Sequence, residues 1–227
     1  MIEWTSSALF GIVLCIFTYE VGLWVNKKAK TPLANPLIIA VLLVIAVLQV
    51  FQIPLENFQK GGDFINMFLA PATAALALSI YSQWELLKKN WLPVLGGALV
   101  GSAVSLGSIY AMSKLFGLDD VITASLLPKS VTTPIAMELS TEAGGVAPLT
   151  VAAVMISGIG GAMFMPFLIK LFRLDNPVAQ GVASGTASHA IGTSKALQLG
   201  ETQGAMSGIS IGVAGIMTVV LHLIFFS

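Results

Sequence analysis

The stretch Leu127-Pro128-Lys129-Ser130-Val131-Thr132-Thr133-Pro134 sets a lysine and three hydroxyls between two prolines, with apolar helical sequence on either side. A second stretch has the same plan. Gly185-Thr186-Ala187-Ser188-His189-Ala190-Ile191-Gly192-Thr193-Ser194-Lys195 joins helix breakers to hydroxyls and two basic side chains. In lipid an unsatisfied backbone group is so costly that an interrupted helix persists only where protein covers it or a wet cavity runs beside it. An ionisable residue at that depth is a functional candidate. Two such breaks predict a substrate site built from discontinuous membrane helices.

In the first stretch Pro128 lacks an amide donor and disrupts the turn before it, while Pro134 presets φ for a first helical turn. Residues 129–133 are therefore expected to run unwound, with Thr133 as N-cap of a helix over 134–139. Free N–H groups and a positive helix end would hold an anion there, helped by the Lys129 charge and the hydroxyls of Ser130, Thr132 and Thr133. The alternative is a proline-kinked helix whose Lys129 pairs with a structural carboxylate such as Glu138. In the second stretch Gly185 and Gly192 are expected to bracket a break that holds Thr186, Ser188 and His189. Thr193 and Ser194 would then cap a helix starting near Lys195. A histidine can titrate near neutral pH, which suits proton coupling; alternatively His189 bonds a backbone carbonyl in the break.

Composition sets the class. The chain is 56% hydrophobic and 10% charged, with a mean hydropathy of +0.90, whereas soluble domains carry about 25% charged residues. An all-α integral membrane protein is implied. Its 227 residues suit one polytopic domain of about eight crossings, each of about 20 residues. The expected segments are 4–25, 35–51, 64–87, 91–116, 121–139, 148–172, 178–199 and 204–226. Residues 1–55 would form two N-terminal spans that could act as scaffold. Residues 64–226 would form a transporter-like core with two or three interrupted helices, the third break lying at Pro71. Zero formal net charge removes the case for a nucleic-acid partner. Cys15, the sole cysteine, cannot form an intrachain disulfide and reads as a small buried hydrophobe.

No G-x-S-x-G motif or metal-spaced histidine cluster occurs, so neither an enzyme nor a cofactor or metal site is expected. His222, among Leu and Ile, reads as structural. Glu20, Glu138, Glu142 and Glu201 are the few acidic candidates for a coupling ion, and interface solvation accounts for most of them. Asn35 could cap the second span or reach the site.

No positive charge precedes the first span, which argues against a cleavable leader. Lys27, Lys28 and Lys30 follow it and place the N-terminus outside by the positive-inside rule. Lys88 and Lys89 then fall inside, but Lys114, Lys170 and Arg173 fall outside. Lys114-Leu115-Phe116-Gly117-Leu118-Asp119 matches Lys170-Leu171-Phe172-Arg173-Leu174-Asp175 at an offset of 56 (170 − 114). Pro71 precedes Pro128 by 57 (128 − 71), and Thr186 follows Pro128 by 58 (186 − 128). Similarity at a fixed period reads as internal repeats of the kind transporters use. A unit of two crossings would repeat in parallel; a re-entrant segment would change that symmetry. Gly97-x-x-x-Gly101, Gly204-x-x-x-Gly208 and Gly208-x-x-x-Gly212 let helix backbones approach closely.

Residues 128–136, P-K-S-V-T-T-P-I-A, and 185–193, G-T-A-S-H-A-I-G-T, resemble the two signature stretches of the LrgB/CidB family. The resemblance covers essentially the full length, including Asn35-Pro36-Leu37 and the Ala-rich run after Pro71. It implies a bacterial inner-membrane protein, holin-like or antiholin-like, with a small LrgA/CidA-type membrane partner. A plastid relative, similar over the same region, exports glycolate and glycerate. The family thus implies either export of small carboxylates or control of murein hydrolase activity and lysis. Lys195 stands where some relatives carry arginine, so a positive charge is retained. The residues themselves favour transport. Buried Lys129, His189 and Lys195 beside hydroxyls suit a small organic acid anion, coupled to protons or sodium, whereas a pore needs amphipathic helices around water. A homo-oligomer in membrane lipid is expected; an intramembrane hydrolase is the least supported class.

Overall fold

The computed structural model describes residues 2–29, 34–68, 71, 74, 78, 81 and 84–226. All regular structure among them is helical. Four described helices, Ala8–Ala29, Trp91–Leu115, Ala147–Leu171 and Glu201–Phe225, are long and apolar enough to cross a membrane. The chain divides into two compact units, Met1–Ala74 and Ala75–Ser227. The segment expected at 64–87 falls largely outside the described residues. Pro71 itself is helical, but its neighbours, and with them the break expected there, lie outside those residues.

The first unit holds α1 (Ile2–Thr5), α2 (Ala8–Ala29), α3 (Pro36–Val50) and α4 (Leu55–Asn66). Asn35 caps α3, its side chain accepting from Leu37 N at 2.9 Å, with Pro36 in the first helical turn. Glycines let the α2 backbone touch its neighbours. A Cβ on Gly22 would lie 2.5 Å from Pro36 O, and one on Gly61 would lie 2.6 Å from Gly11 Cα.

The second unit holds α5 (Trp84–Lys89), α6 (Trp91–Leu115), α7 (Asp120–Leu126), α8 (Thr133–Glu142), α9 (Ala147–Leu171), α10 (Pro177–Leu199) and α11 (Glu201–Phe225). Helices α6 and α9 each have 25 residues and start 56 apart (147 − 91), the offset seen in the sequence. They also stop in the same way. Leu118 N donates to Ser113 O at 2.9 Å and Leu174 N to Ile169 O at 3.0 Å, with Gly117 at φ 66 and Arg173 at φ 50. This is a left-handed helix stop with its six-to-one hydrogen bond. A cap comes after each stop: Asp119 accepts from Ile122 N at 2.7 Å, and Asn176 from Val178 N at 2.8 Å.

Each cap opens a hairpin. Ser125 Oγ accepts from Val146 N at 2.8 Å. Had α7 and α8 continued one another, those 21 residues would span about 30 Å. Instead α8 returns along α9, where Thr150 Oγ1 donates to Ser140 Oγ at 2.6 Å. Helix α10 likewise doubles back, at His189 (φ 41, ψ −137). Its entering arm, 177–188, runs beside α11 in the same direction. Gln203 Nε2 donates to Gln180 Oε1 at 3.1 Å, and Gly185 lies against the Ser207 carbonyl. Its returning arm, 190–199, brings Thr193 Oγ1 to 2.7 Å from the same Ser207, at Oγ.

The fifth and seventh segments are therefore hairpins and not single interrupted crossings, which corrects the expected count of eight. Arms of 12 and 10 residues reach about 18 and 15 Å, half of a hydrocarbon core of about 30 Å. A hairpin adds no net crossing, so a long helix plus a hairpin crosses once and its repeat is inverted. The Gly97/Gly101 pair is used within the chain, where it receives Val182 and Thr186 of α10. Val94, Val182, Met206 and Ile209 form the apolar core beside it.

Candidate functional site: the meeting of two hairpin tips

The hairpins enter from opposite ends. Along α6, Val182 lies at Gly97 and Thr186 at Gly101. Further on, Ser130 of the other hairpin meets Ser105 at 2.8 Å, and Asp120 meets Lys114 at 3.3 Å near the helix end. Along α9 the order reverses, with Ser140 at Thr150 and Ser188 at Gly161. Between these marks both tips reach Val154. Val131 and Ala136 pack on its side chain, and its carbonyl lies 3.2 Å from His189 Nε2. Gly158, one turn on, makes room for the imidazole, because a Cβ there would lie 2.5 Å from Cε1.

At the first tip Ser130 Oγ accepts from Lys129 Nζ at 2.9 Å and from Ser105 Oγ at 2.8 Å. Both lone pairs are used, so its own proton is left to donate. Lys129 is half-buried and Glu138 exposed. Among the described residues the ion pairs are Lys88–Glu85 and Lys114–Asp120, so Lys129 has no Glu138 partner. The N-cap of α8 is Thr132 (φ −64, ψ 148), not Thr133, and its side chain makes no capping bond. Thr133 is the first helical residue, which Pro134 tolerates because first-turn amides lack intrahelical partners anyway. The N–H groups of Thr133 and Ile135 are consequently offered at the tip.

At the second tip the break falls on His189, not at Gly185 or Gly192. Those glycines permit contact: Gly185 against Ser207, and Gly192 against Ser184 and Ser188. Thr193 and Ser194 do not cap. They donate backwards to His189 O at 3.1 Å and Ala190 O at 3.2 Å. Lys195, half-buried, bonds Gln198 Oε1 through Nζ at 3.0 Å, one turn further along the returning arm. A non-glycine residue held at φ 41 costs on the order of 1–3 kcal/mol and persists only where its surroundings fix it; here the Val154 bond and Gly158 do so. Ser184 and Thr186 are buried, and their hydroxyls have no hydrogen-bond partner.

The returning arms start at the tips, so α8 and residues 190–199 both bring positive helix ends toward Val154. Together with Lys129 they can hold a small anion. Ser105, Val154, Gly158 and Gly101 were missed from sequence. Ser102 and Ser105, the polar pair in an apolar Gly-rich helix, were the available signal. Asn35 caps α3 in the first unit. His222 is buried, with its ring 5.9 Å from that of Phe226 and Nε2 without a partner.

Long apolar helices joined to inverted hairpins define a multi-pass helical membrane protein. The model of the LrgB-like family matches residues 15–227, and the chain belongs to that family. It is 37% identical over 210 residues to "Uncharacterized protein YxaC" of Bacillus subtilis (strain 168), covering 92% of this chain and 91% of that one. It is 37% identical over 218 residues to "Antiholin-like protein LrgB" of Bacillus mycoides (strain KBAB4), covering 96% and 95%. The protein of that name from Bacillus cereus (strain B4264) is 36% identical over 218 residues, with the same coverage. No solved structure matches.

Proposed function

We propose that this protein carries small carboxylates such as glycolate, glycerate or pyruvate across a bacterial inner membrane by alternating access. One observation carries the reading: the unpaired Lys129, with Ser130 and Ser105, lies at the uncapped start of α8 where two opposed hairpins meet. A carboxylate there gains a counter-charge, helix-end amides and hydroxyl donors together. His189 would take part in coupling to protons; sodium coupling is the other option. Thr132, Thr133, Thr186, Ser188, Thr193, Ser194 and Lys195 complete the candidate set, the last three from the returning arm.

A second reading has more direct support from the relatives, two of which are named antiholin-like. In that reading the chain modulates murein hydrolase activity and lysis. A small LrgA/CidA-type membrane protein is the proposed partner in either case, and a homo-oligomer the proposed assembly. Purified protein in liposomes separates the two. A carrier gives saturable uptake of labelled glycolate, stimulated by unlabelled acid on the far side and weakened by His189→Ala. Non-saturable leakage of sucrose, unaffected by that change, would favour the lysis-related reading and reject this one.

A further inference from the structure

Hydroxyls on the helices of this chain usually bond the carbonyl one turn back. Thr18 reaches Leu14 O at 2.7 Å, Thr123 reaches Asp119 O at 2.8 Å, Thr141 reaches Met137 O at 2.8 Å, and Ser210 reaches Met206 O at 2.7 Å. Thr186 does not. It is only 7% exposed, and its Oγ1 has no partner. The cause is its methyl group. Cγ2 lies 2.6 Å from where a Cβ on Gly101 would be, so the missing side chain of α6 receives the methyl and fixes the rotamer. That rotamer leaves the hydroxyl without the local bond. Ser184, the other unpartnered hydroxyl of this arm, lies against Gly192 inside the hairpin. Thr186 faces α6 instead.

On α6 the next residue along that face is Ser105, one turn from Gly101 and about 5–6 Å away. Ser105 holds Ser130, which holds Lys129. An unpartnered buried hydroxyl thus stands about one helical turn from the proposed carboxylate group. A two- or three-carbon acid spans that gap if its carboxylate lies at Lys129 and its next carbon carries a hydrogen-bonding group.

We propose that Thr186 is the specificity-determining residue of the site, selecting acids with a hydroxyl or oxo group on the carbon beside the carboxylate over acids that lack one. Gly101 acts through it as a positioning residue. This rests on the carboxylate reading above. A buried hydroxyl satisfied by one substrate and left unpaired by its analogue is the kind of group that discriminates well.

The test compares glycolate with acetate, which differ by that hydroxyl, in counterflow and in ligand-induced thermal stabilisation of the full-length protein. In wild type glycolate should have the lower KM. Thr186→Val, similar in shape, should raise the glycolate KM roughly tenfold, as expected for one lost hydrogen bond, and change the acetate KM much less. Thr186→Ser should keep the preference. Gly101→Ala, which displaces the methyl while retaining Thr186, should lose it as Thr186→Val does, and it decides the matter if the valine variant folds poorly. An equal change for both acids, or none, overturns the assignment while the carboxylate reading stands. Absence of saturable uptake or stabilisation by either acid in wild type overturns both.

Discussion

Lys129 is half-buried, bonded to the Ser130 hydroxyl and to no carboxylate, so a bound anion would meet a charge not already neutralised. Attraction between unit charges at 4 Å rises from about 1 kcal/mol in water to about 4 kcal/mol at an effective dielectric of 20, and its loss should be decisive. Lys129→Ala should therefore abolish saturable carboxylate uptake without reducing membrane insertion. Lys129→Arg should rescue only in part, because the guanidinium is larger and planar. Wild-type counterflow by the alanine variant would return Lys129 to a structural role. Gly158 is the matching residue on α9. A methyl group there would lie 2.5 Å from His189 Cε1, so Gly158→Ala should displace the ring and its bond to Val154. The expected cost is about 1–3 kcal/mol, as for an overpacked core. A lowered unfolding midpoint together with impaired counterflow would bear this out; unchanged values for both would show that the ring can move aside freely.

Each element of the second unit is stopped or turned by a device that can be tested alone. Arg173 holds the left-handed position that Gly117 holds in the earlier repeat, at φ 50 against φ 66. Left-handed backbone costs a residue with a side chain roughly 1–2 kcal/mol more than glycine. Arg173→Gly should thus stabilise by about 1 kcal/mol and Gly117→Ala destabilise by a similar amount, read as opposite shifts of the unfolding midpoint in detergent. The hairpin of α10 rests on Gln180 meeting Gln203. In an unbroken helix residue 180 would be about 30 Å from the level of residue 203. Cysteines at both positions, in a Cys15→Ser background, should be joined by a short bifunctional thiol reagent. No crosslink in folded protein would mean that α10 crosses straight through.

At the scale of the molecule, two hairpins change the topology and with it the charge balance. As single crossings, the segments at 121–139 and 178–199 would put Lys114, Lys170 and Arg173 together on the side opposite Lys88 and Lys89. As hairpins they put Lys170 and Arg173 on the side of Lys88 and Lys89, leaving Lys114 opposite. The positive-inside rule then fits the second unit with that side as the inside. Single cysteines replacing Asp120 and Asp175, again without Cys15, should react with an impermeant maleimide from opposite faces of the membrane, Asp120→Cys from outside. Labelling of both from one face would restore the eight-span arrangement. Inverted hairpins also bring the two repeats of the second unit to Val154 from opposite ends.

The sequence by itself determined the membrane class, the family and the two polar stretches, because composition, helix breakers and the charge on a side chain are local properties that survive in any fold of this chain. It also carried the 56-residue repeat, since helix stops and caps such as Gly117, Asp119 and Asn176 are set by neighbouring residues. It misplaced what depends on partners distant in sequence. Gly185 and Gly192 look like breaks, yet they serve close packing against Ser207, Ser184 and Ser188, while a histidine takes the strained turn. Whether a 23-residue segment crosses or returns is decided by what lies beside it, since an arm of 10–12 residues is stable only against neighbours that cover its tip. Val154, Gly158, Ser105 and Gly101 supply that cover from helices that read as ordinary apolar spans, with only the Ser102 and Ser105 pair to mark α6. Only the tertiary structure could bring Val131 and His189, 58 residues apart (189 − 131), to one residue of α9.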